Sequence, residues 1–300
     1  MKRQLPEFAN EYFSIDNYGL EGRTLIVSGS WDRHIESALQ EFDVDSVALN
    51  YALGYNERNL DFLHAGLNIR KLFILSRTTE DLSPVYRLAS SLEHLSVEVS
   101  TKVKLDLARL PLIQSISADW PLIRDSLSQV ENLQSAFIFL YSEPDLRALG
   151  VHLGLESLRF KQSPRVQSLA GLDFFPKLRS LSIFGGRRFA DMSQLEAFHP
   201  NQIKEIQIES CKTISSLESL HSCEGLTFLN ISNLGSVASL VPLRNLKSLE
   251  RLYAYESTMV IDGDLSPLAE LSHLRQLKMM NRKSYTPSVA EIMQMLGASE

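Results

Sequence analysis

Cysteine is scarce in this chain, whose 300 residues include only Cys211 and Cys223. Two thiols cannot form the framework of several disulfides that holds small secreted domains together. The opening residues MKRQLPEFANEYF contain two basic residues but no apolar run after them, so they lack the pattern of a secretory signal. We therefore expect a reducing, cytoplasmic location.

The sequence also has no long apolar run and no excess of positive charge. The segment SAFIFLY is among its longest apolar stretches, whereas a membrane-spanning helix needs about 20 such residues. Thirty lysines and arginines stand against 36 aspartates and glutamates, a formal net charge of −6. Proteins that bind nucleic acids or acidic membranes usually present a basic surface. We therefore expect neither nucleic acid nor membrane among the partners.

Motifs of known catalytic or nucleotide-binding chemistry are missing as well. There is no G-x-x-x-x-G-K-[ST] loop, no G-x-S-x-G, and no G-x-G-x-x-G followed by a suitable helix. The pair His221-x-Cys223 is too short for a zinc site, which needs four ligands. The segment Asp262-Gly263-Asp264 lacks the other oxygen ligands of a calcium loop, so we interpret it as a turn. We predict no catalytic residue, metal, cofactor or small-molecule substrate, although an enzyme or metal-dependent protein stays open as an alternative.

What the chain does contain is a repeat. Three copies of one pattern start at Ile203, Leu226 and Leu249, each 23 residues after the last, and a fourth starts at Leu274. Each copy has apolar residues at its first, fourth and sixth positions. A fixed period in the twenties is typical of a solenoid, and this pattern is that of the strand of a leucine-rich repeat.

The same pattern continues towards the start of the chain at intervals of 20 to 25 residues. We predict an α/β solenoid, a leucine-rich-repeat horseshoe or arc, with a concave parallel β-sheet of about eleven or twelve strands. The copies that match least well start at Gly22, Ile113 and Leu133. The eight earlier copies start at Gly22, Val44, Ile69, Leu92, Ile113, Leu133, Leu155 and Leu178.

The second half of each repeat has apolar residues at every third position, as in Ile214-Leu217-Leu220. This is the spacing of a 3₁₀-helix, in which side chains three residues apart are eclipsed. We therefore expect a convex side of short 3₁₀ turns and loops. By the same alignment Cys211 and Cys223 occupy interior positions, where free cysteine behaves as a small hydrophobic residue. His152 is expected to be half-buried on the convex side, and His94 to project from the strand face.

Two sequence motifs in the second halves of repeats, DLSPV from Asp81 and DLSPLAEL from Asp264, extend this interpretation. They resemble the convex segments of internalin-type bacterial repeats and of the related phosphatase-regulating leucine-rich-repeat proteins. The resemblance covers residues 22–280 and concerns the class of repeat. The chain departs from the internalin pattern in its irregular repeat length, in lacking an export signal and in having no immunoglobulin-like domain after the repeats. The resemblance therefore implies the fold and no shared ligand.

Both ends of a solenoid need caps, because the last coil would otherwise expose the core. Residues 1–21 show no clear repeat and are predicted to form the N-terminal cap, with Phe8, Tyr12, Phe13 and Ile15 available to cover the first coil. Residues 22–280 would form the solenoid. Residues 281–300 would form the C-terminal cap, with a short α-helix over 288–296 opened by a capping box from Ser288 to Glu291.

The variable strand positions predict a binding surface. Side chains alternate across a strand, so if the fourth and sixth positions face the core, the third, fifth and seventh face outward from the concave sheet. Exposed aromatic residues mixed with charges are typical of protein interfaces. Covering loops or cap segments, or a one-residue error in register at Phe137 and Phe139, would instead bury some of them. The predicted partner-binding residues are Phe73, Phe137, Phe139, Arg159, Lys161, Phe184, Glu205, Glu209, Phe228, Asn230, Arg251, Tyr253, Tyr255 and Lys278.

These features together predict a non-catalytic module that occupies a protein partner through its concave face. One form is an intracellular inhibitor or immunity protein that blocks a toxin or enzyme; ribonuclease inhibitor, by analogy, shows that this repeat class can act so. The alternative is a regulatory subunit or adaptor in signalling.

Overall fold

The computed structural model describes residues 8–18, 22–100, 103–199 and 201–299. The chain divides into two compact units, Met1–Leu133 and Gln134–Glu300. We call them the first and second units and describe each by itself.

The first unit contains a sheet whose strands follow one another in chain order. The third to seventh strands are parallel, and their register places Leu25, Val47, Leu72, Leu95 and Ile116 side by side. These are the fourth positions of the predicted repeats. The strands are β1 (Phe8–Ala9), β2 (Phe13–Asp16), β3 (Thr24–Val27), β4 (Ser46–Asn50), β5 (Lys71–Ser76), β6 (His94–Val99) and β7 (Ser115–Asp119).

Strands β1 and β2 form an antiparallel hairpin that adds to the edge strand β3. Phe13 and Ile15 of β2 are buried, whereas Phe8 is exposed and packs against Phe13 and Phe42 with ring centroids 5.5 and 5.0 Å apart. The sequence did not predict strands here, because this segment lacks the repeat. Residues 1–7 and 19–21 of the predicted cap lie outside the described residues.

The second halves of the repeats in the first unit are short helical pieces with one exception. The helix α1 (Arg33–Glu41) is an α-helix of nine residues, although 3₁₀ turns were expected. Its N-cap Asp32 accepts hydrogen bonds from the backbone N–H groups of His34 and Ile35, which favours the α-helical start. The other pieces are α2 (Trp120–Ile123) and 3₁₀ turns at Tyr51–Leu53, Ser83–Leu88, Leu107–Arg109 and Leu127–Gln129.

The second unit contains seven parallel strands of the main sheet among its described residues, again in chain order. Their register aligns Leu158, Leu181, Ile206, Leu229 and Leu252, each of which is at most 2% exposed. With the five of the first unit they make twelve parallel strands in the part of the chain that the structure describes, in agreement with the predicted eleven or twelve. They are β8 (Ser135–Phe139), β9 (Ser157–Lys161), β10 (Ser180–Phe184), β11 (Glu205–Glu209), β12 (Phe228–Asn230), β14 (Arg251–Ala254) and β16 (Gln276–Met279).

Between these strands the second unit has mostly 3₁₀ turns, as the period of three predicts. A separate two-stranded parallel ladder, which the repeat pattern does not predict, pairs β13 (Ser236–Val237) with β15 (Met259–Val260). The 3₁₀ turns lie at Arg147–Leu149, Leu172–Phe174, Glu218–Ser222 and Val241–Asn245, and short α-helices at α3 (Gln194–Ala197) and α4 (Ser266–Ala269).

The last helix, α5 (Val289–Leu296), confirms the helix predicted over 288–296. Ser288 and Glu291 form the predicted capping box, each side chain accepting a hydrogen bond from the other's backbone N–H. The helix ends at Gly297, whose φ of 62° is a left-handed conformation that glycine adopts without steric cost.

The register makes a direct prediction about strand β9. Leu158 is fully buried while its neighbour Arg159 is exposed. Leu158→Asp places an unpaired carboxylate in the core and should lower the free energy of unfolding by more than about 3 kcal/mol. The matched control Arg159→Asp should cost less than about 1 kcal/mol. Urea unfolding followed by circular dichroism measures both, and equal losses would contradict the register.

Candidate functional site

Thirteen of the fourteen predicted binding residues lie in the second unit, on one face of its sheet. We call this the open face: the side chains at the third, fifth and seventh repeat positions. In β8, Ala136 and Ile138 are at most 1% exposed and face the core, while Phe137 lies on the open face and is half-buried. The register error considered for this repeat is therefore absent.

Exposure on the open face is uneven. Arg159 and Lys161 are exposed, but Phe139, Phe228 and Asn230 are 9%, 7% and 5% exposed and count as buried. The expectation that all the aromatic residues are exposed is wrong for Phe139 and Phe228. The remaining predicted residues are half-buried, namely Phe137, Phe184, Glu205, Glu209, Arg251, Tyr253, Tyr255 and Lys278.

Phe228 is buried because its neighbours on the next strand cover it. The Arg251 guanidinium lies over the Phe228 ring at 4.3 Å, and the Tyr253 ring meets it edge-on with centroids 5.1 Å apart. Arg251 also forms an ion pair with Glu205, which lies on β11 beyond Phe228, with Nη2 and Oε1 3.5 Å apart. Parallel strands lie about 4.8 Å apart, so side chains at equivalent positions pack laterally.

The same lateral packing continues to β16. The Tyr253 hydroxyl donates a hydrogen bond of 2.8 Å to Gln276 Oε1, and Lys278 Nζ lies 4.6 Å from the Tyr253 ring centroid. The Tyr255 ring is 6.5 Å from that of Tyr253. We call this group the aromatic–cation cluster; its members are Glu205, Phe228, Arg251, Tyr253, Tyr255, Gln276 and Lys278.

Asn230 and Glu209 form a separate polar contact beside this cluster. Asn230 Nδ2 donates to Glu209 Oε2 at 3.2 Å, and Asn230 Oδ1 accepts from the Ser232 backbone N–H at 3.0 Å. The buried Asn230 amide therefore fixes the local turn and orients the Glu209 carboxylate towards β12.

A second aromatic group lies at the β8 and β9 end of the open face. The Phe137 and Phe139 rings are 4.5 Å apart, and the Arg159 guanidinium lies 4.9 Å from the Phe137 ring centroid. Cations over aromatic faces are attracted by the ring quadrupole, so these contacts hold the exposed Arg159 side chain in place.

Phe73, the remaining predicted binding residue, lies in the first unit and is 8% exposed. It packs with Ile26 and Ala48 on the strand face, and Tyr18 and Leu53 pack against this group. Its expected exposure is therefore wrong, and the alternative of covering loops or cap segments applies here. Tyr18 precedes the repeats, so the repeat pattern carries no signal for this contact.

His94 lies beside Phe73, with ring centroids 4.9 Å apart. Burial, with a further contribution from the nearby Lys71 charge, lowers the pKa of His94 from its ordinary value of 6.5 to about 4. The imidazole in the folded chain is therefore neutral at pH 7.

The other candidates for chemistry occupy interior or turn positions. Cys211 and Cys223 are buried, and burial raises the pKa of their thiols to about 12 and about 11, so both are protonated near neutral pH. His152 is 2% exposed rather than half-buried, with Nε2 2.9 Å from the Leu149 carbonyl oxygen. Asp262-Gly263-Asp264 forms the expected turn, in which Gly263 has a φ of 68°.

Metal-ligand clusters and membrane-spanning helices are both absent from the described ranges. No three His, Cys, Asp or Glu side chains there are arranged to hold a metal ion. No helix in the same ranges combines the length and apolarity needed to cross a membrane.

Comparison with known proteins identifies the fold. No family model matches the chain, and no curated protein matches it. Among solved structures, a leucine-rich-repeat protein of Leptospira interrogans has a TM-score of 0.51 at 15% identity, covering 90% of this chain and 80% of its own. Two internalins of Listeria monocytogenes, InlF and InlC2, have TM-scores of 0.47 and 0.36 at 17% and 15% identity; they cover 85% and 61% of this chain and 73% and 72% of their own.

The chain has the leucine-rich-repeat fold. The in-register parallel strands, their period and the Leptospira structure agree on this, which confirms the repeat class expected from the sequence. Identities below one fifth show the fold alone, so function must be argued from this chain's own surface.

The position of His94 predicts that the free energy of unfolding depends on pH. Its folded pKa lies below the unfolded value, so the folded state binds fewer protons between about pH 4 and 6.5. The stability it contributes is complete above pH 6.5 and is lost as the pH falls towards 4. Relative to His94→Gln, the wild-type chain should lose about 2 kcal/mol more unfolding free energy between pH 7 and pH 4, since partial exposure reduces the full linkage value. Urea unfolding of both proteins across this range tests this, and parallel profiles would contradict it.

Proposed function

We propose that this chain is a non-catalytic module that binds a protein partner with the open face of its second unit. The observation that carries the proposal is the aromatic–cation cluster. Tyr253 and Tyr255 keep part of their rings accessible beside Arg251 and Lys278. Tyrosine and arginine are over-represented among the residues that dominate protein–protein binding energy, because they combine apolar area with directed polar contacts.

The cluster is also held in place before any partner arrives. Arg251 is restrained by Glu205 and Phe228, and Tyr253 by its hydrogen bond to Gln276. Binding through side chains that are already ordered loses less conformational entropy, which raises affinity for the same contact area. The buried Phe228, Phe139 and Asn230 support this surface rather than contact the partner directly.

The size of the open face indicates a protein partner that extends beyond it. Seven strands about 4.8 Å apart, with about five residues each, give a flat area on the order of 450 Å². A standard protein interface takes about 800 Å² from each partner. The partner would therefore also contact the turns at the edge of the sheet.

The finer proposal is an intracellular inhibitor or immunity protein. A surface of this size can cover the active site of a toxin or enzyme and block it without chemistry of its own. The two free, buried thiols are compatible with a reducing cytoplasm. We also propose that residues 1–21 and 281–300 cap the solenoid.

The central prediction concerns Tyr253→Ala combined with Tyr255→Ala. Immobilised wild-type protein should enrich its partner from a lysate of the native organism, and the double variant should lose that partner in quantitative mass spectrometry. The reconstituted pair should lose at least about 2 kcal/mol of binding free energy, as for anchors at the centre of an interface. The free energy of unfolding should change by less than about 2 kcal/mol, because both rings are half-buried.

The matched control removes apolar side chains away from the open face. Leu153→Ala with Ile261→Ala alters two residues that are 65% and 64% exposed. This variant should keep the partner. Capture that survives in the tyrosine variant, or is lost equally in the control, would refute the open face as the binding site.

The inhibitor form predicts an effect on the partner's activity. One equivalent of wild-type protein should suppress the reaction of the reconstituted partner, and the tyrosine variant should restore it. A partner that is bound tightly but remains fully active would contradict inhibition and favour a regulatory subunit or adaptor.

A further inference from the structure

One segment of this acidic chain is strongly basic. Residues 157–190 contain seven lysines and arginines and a single acidic residue, Asp173, an excess of six positive charges in a chain whose net charge is −6. The segment contains strands β9 and β10 and the turns that follow them. Charge of one sign confined to two coils is not required by the repeat, whose pattern constrains only apolar positions.

A recess of about 440 Å³ lies where these strands end. Its lining comes from three consecutive coils: Ser163 after β9, Gly185 and Arg187 after β10, and Ser210 and Lys212 after β11. The carboxyl ends of parallel strands lie on the same edge of the sheet, so the equivalent turn residues stack beside one another. The recess thus combines two cationic side chains with two hydroxyl groups.

The cations at this edge are available to a ligand. Arg187 and Lys212 are exposed, and within the described part of the chain neither takes part in an ion pair; the pairs of the second unit join other residues. Lys161 and Arg165, which precede and follow Ser163 by two residues, are also exposed and have no such pair in that part of the chain.

Glu209, the acidic residue nearest to the recess in the strand register, directs its carboxylate away from the recess. Glu209 pairs with Phe184 across the sheet and immediately precedes Ser210. Its carboxylate accepts the hydrogen bond from Asn230 Nδ2 on the opposite neighbouring strand, β12. The recess therefore keeps its positive charge, and an incoming anion meets Arg187 and Lys212 first.

Backbone space also favours a ligand at this point. Gly185 has a φ of 72°, and a Cβ built there would have no heavy atom within 4 Å. Its N–H donates to the Glu209 carbonyl oxygen, which fixes the turn. A side chain from a partner can therefore approach the backbone of the turn after β10 closely.

We infer that this recess binds carboxylate side chains, and that the protein partner docks with an acidic segment on the edge formed by β9, β10 and β11. The inference rests on the proposed function and names the chemistry of its partner. Arginine, lysine and hydroxyl donors match a carboxylate, and Arg187 can offer it two parallel N–H donors. An extended nucleic acid fits less well, because the remainder of the chain, at −12, repels a long polyanion.

The test is an amide chemical-shift titration of the full chain with a short oligoglutamate peptide, with oligoglutamine as the neutral probe. The Gly185 and Ser210 amides should shift saturably with oligoglutamate alone. Raising the ionic strength from about 0.01 M to about 0.15 M should weaken binding, because the Debye length falls from about 30 Å to about 8 Å. Arg187→Glu with Lys212→Glu should weaken it at least tenfold.

The matched control makes the same change in net charge elsewhere. Arg58→Glu with Lys283→Glu alters two exposed cations that do not line the recess and should change the affinity by no more than about twofold, since net charge alone acts through a screened field. Circular dichroism checks that both variants are folded. Equal losses in the two variants, no oligoglutamate shifts in the wild type, or tighter binding of an oligonucleotide of equal charge would each overturn the inference.

The experiment separates this inference from the proposed function. The variant Tyr253→Ala with Tyr255→Ala leaves the recess intact, so it should keep its oligoglutamate shifts. If oligoglutamate does not bind the recess, tyrosine-dependent partner capture is unaffected. If the open face is not the binding site, partner capture does not depend on the tyrosines, whereas oligoglutamate still binds the recess.

Discussion

In-register pairing of parallel strands is the constraint on which the rest of this structure depends. Leu158, Leu181 and Ile206 lie side by side because each strand repeats the position of the last, and their stacking makes the core. The constraint acts equally on the other side of the sheet. Residues at the same repeat position in neighbouring strands lie within packing distance of each other, whatever their chemistry. The open face is therefore built from lateral pairs such as Phe228 with Arg251.

Much of this could be predicted from the sequence, since a period of 20 to 25 residues and alternation within each strand locate twelve strands and their faces. Exposure could not be predicted in the same way. The exposed fraction of a residue depends on which neighbouring side chains pack over it. Arg251 covers Phe228, and Tyr18 covers Phe73 from outside the repeats. Alternation tells which face a side chain occupies, whereas its accessible area is set by contacts between coils.

The elements that the repeat pattern does not predict have local causes. Helix α1 starts at the Asp32 cap and places Ile35, Ala38 and Leu39 on one buried stripe, a spacing of three and four that marks an α-helix. The β1–β2 hairpin pairs with β3 through backbone groups, which leave little trace in side-chain pattern. The candidate site shows a similar limit, since the basic recess comes from turn residues of three coils and the net charge of the whole chain conceals it.

The uneven distribution of charge has a kinetic consequence. Because residues 157–190 carry +6 and the other residues of the second unit carry −6, charge is unevenly distributed within that unit. For the acidic partner proposed above, the basic segment would be attractive and the remaining acidic residues of the unit repulsive. Such a field turns the two molecules before they touch and raises the association rate for the productive orientation, an effect that weakens as salt is added. The coils after β9 and β10 would then set the association rate of the partner, and the aromatic rings would set its dissociation rate.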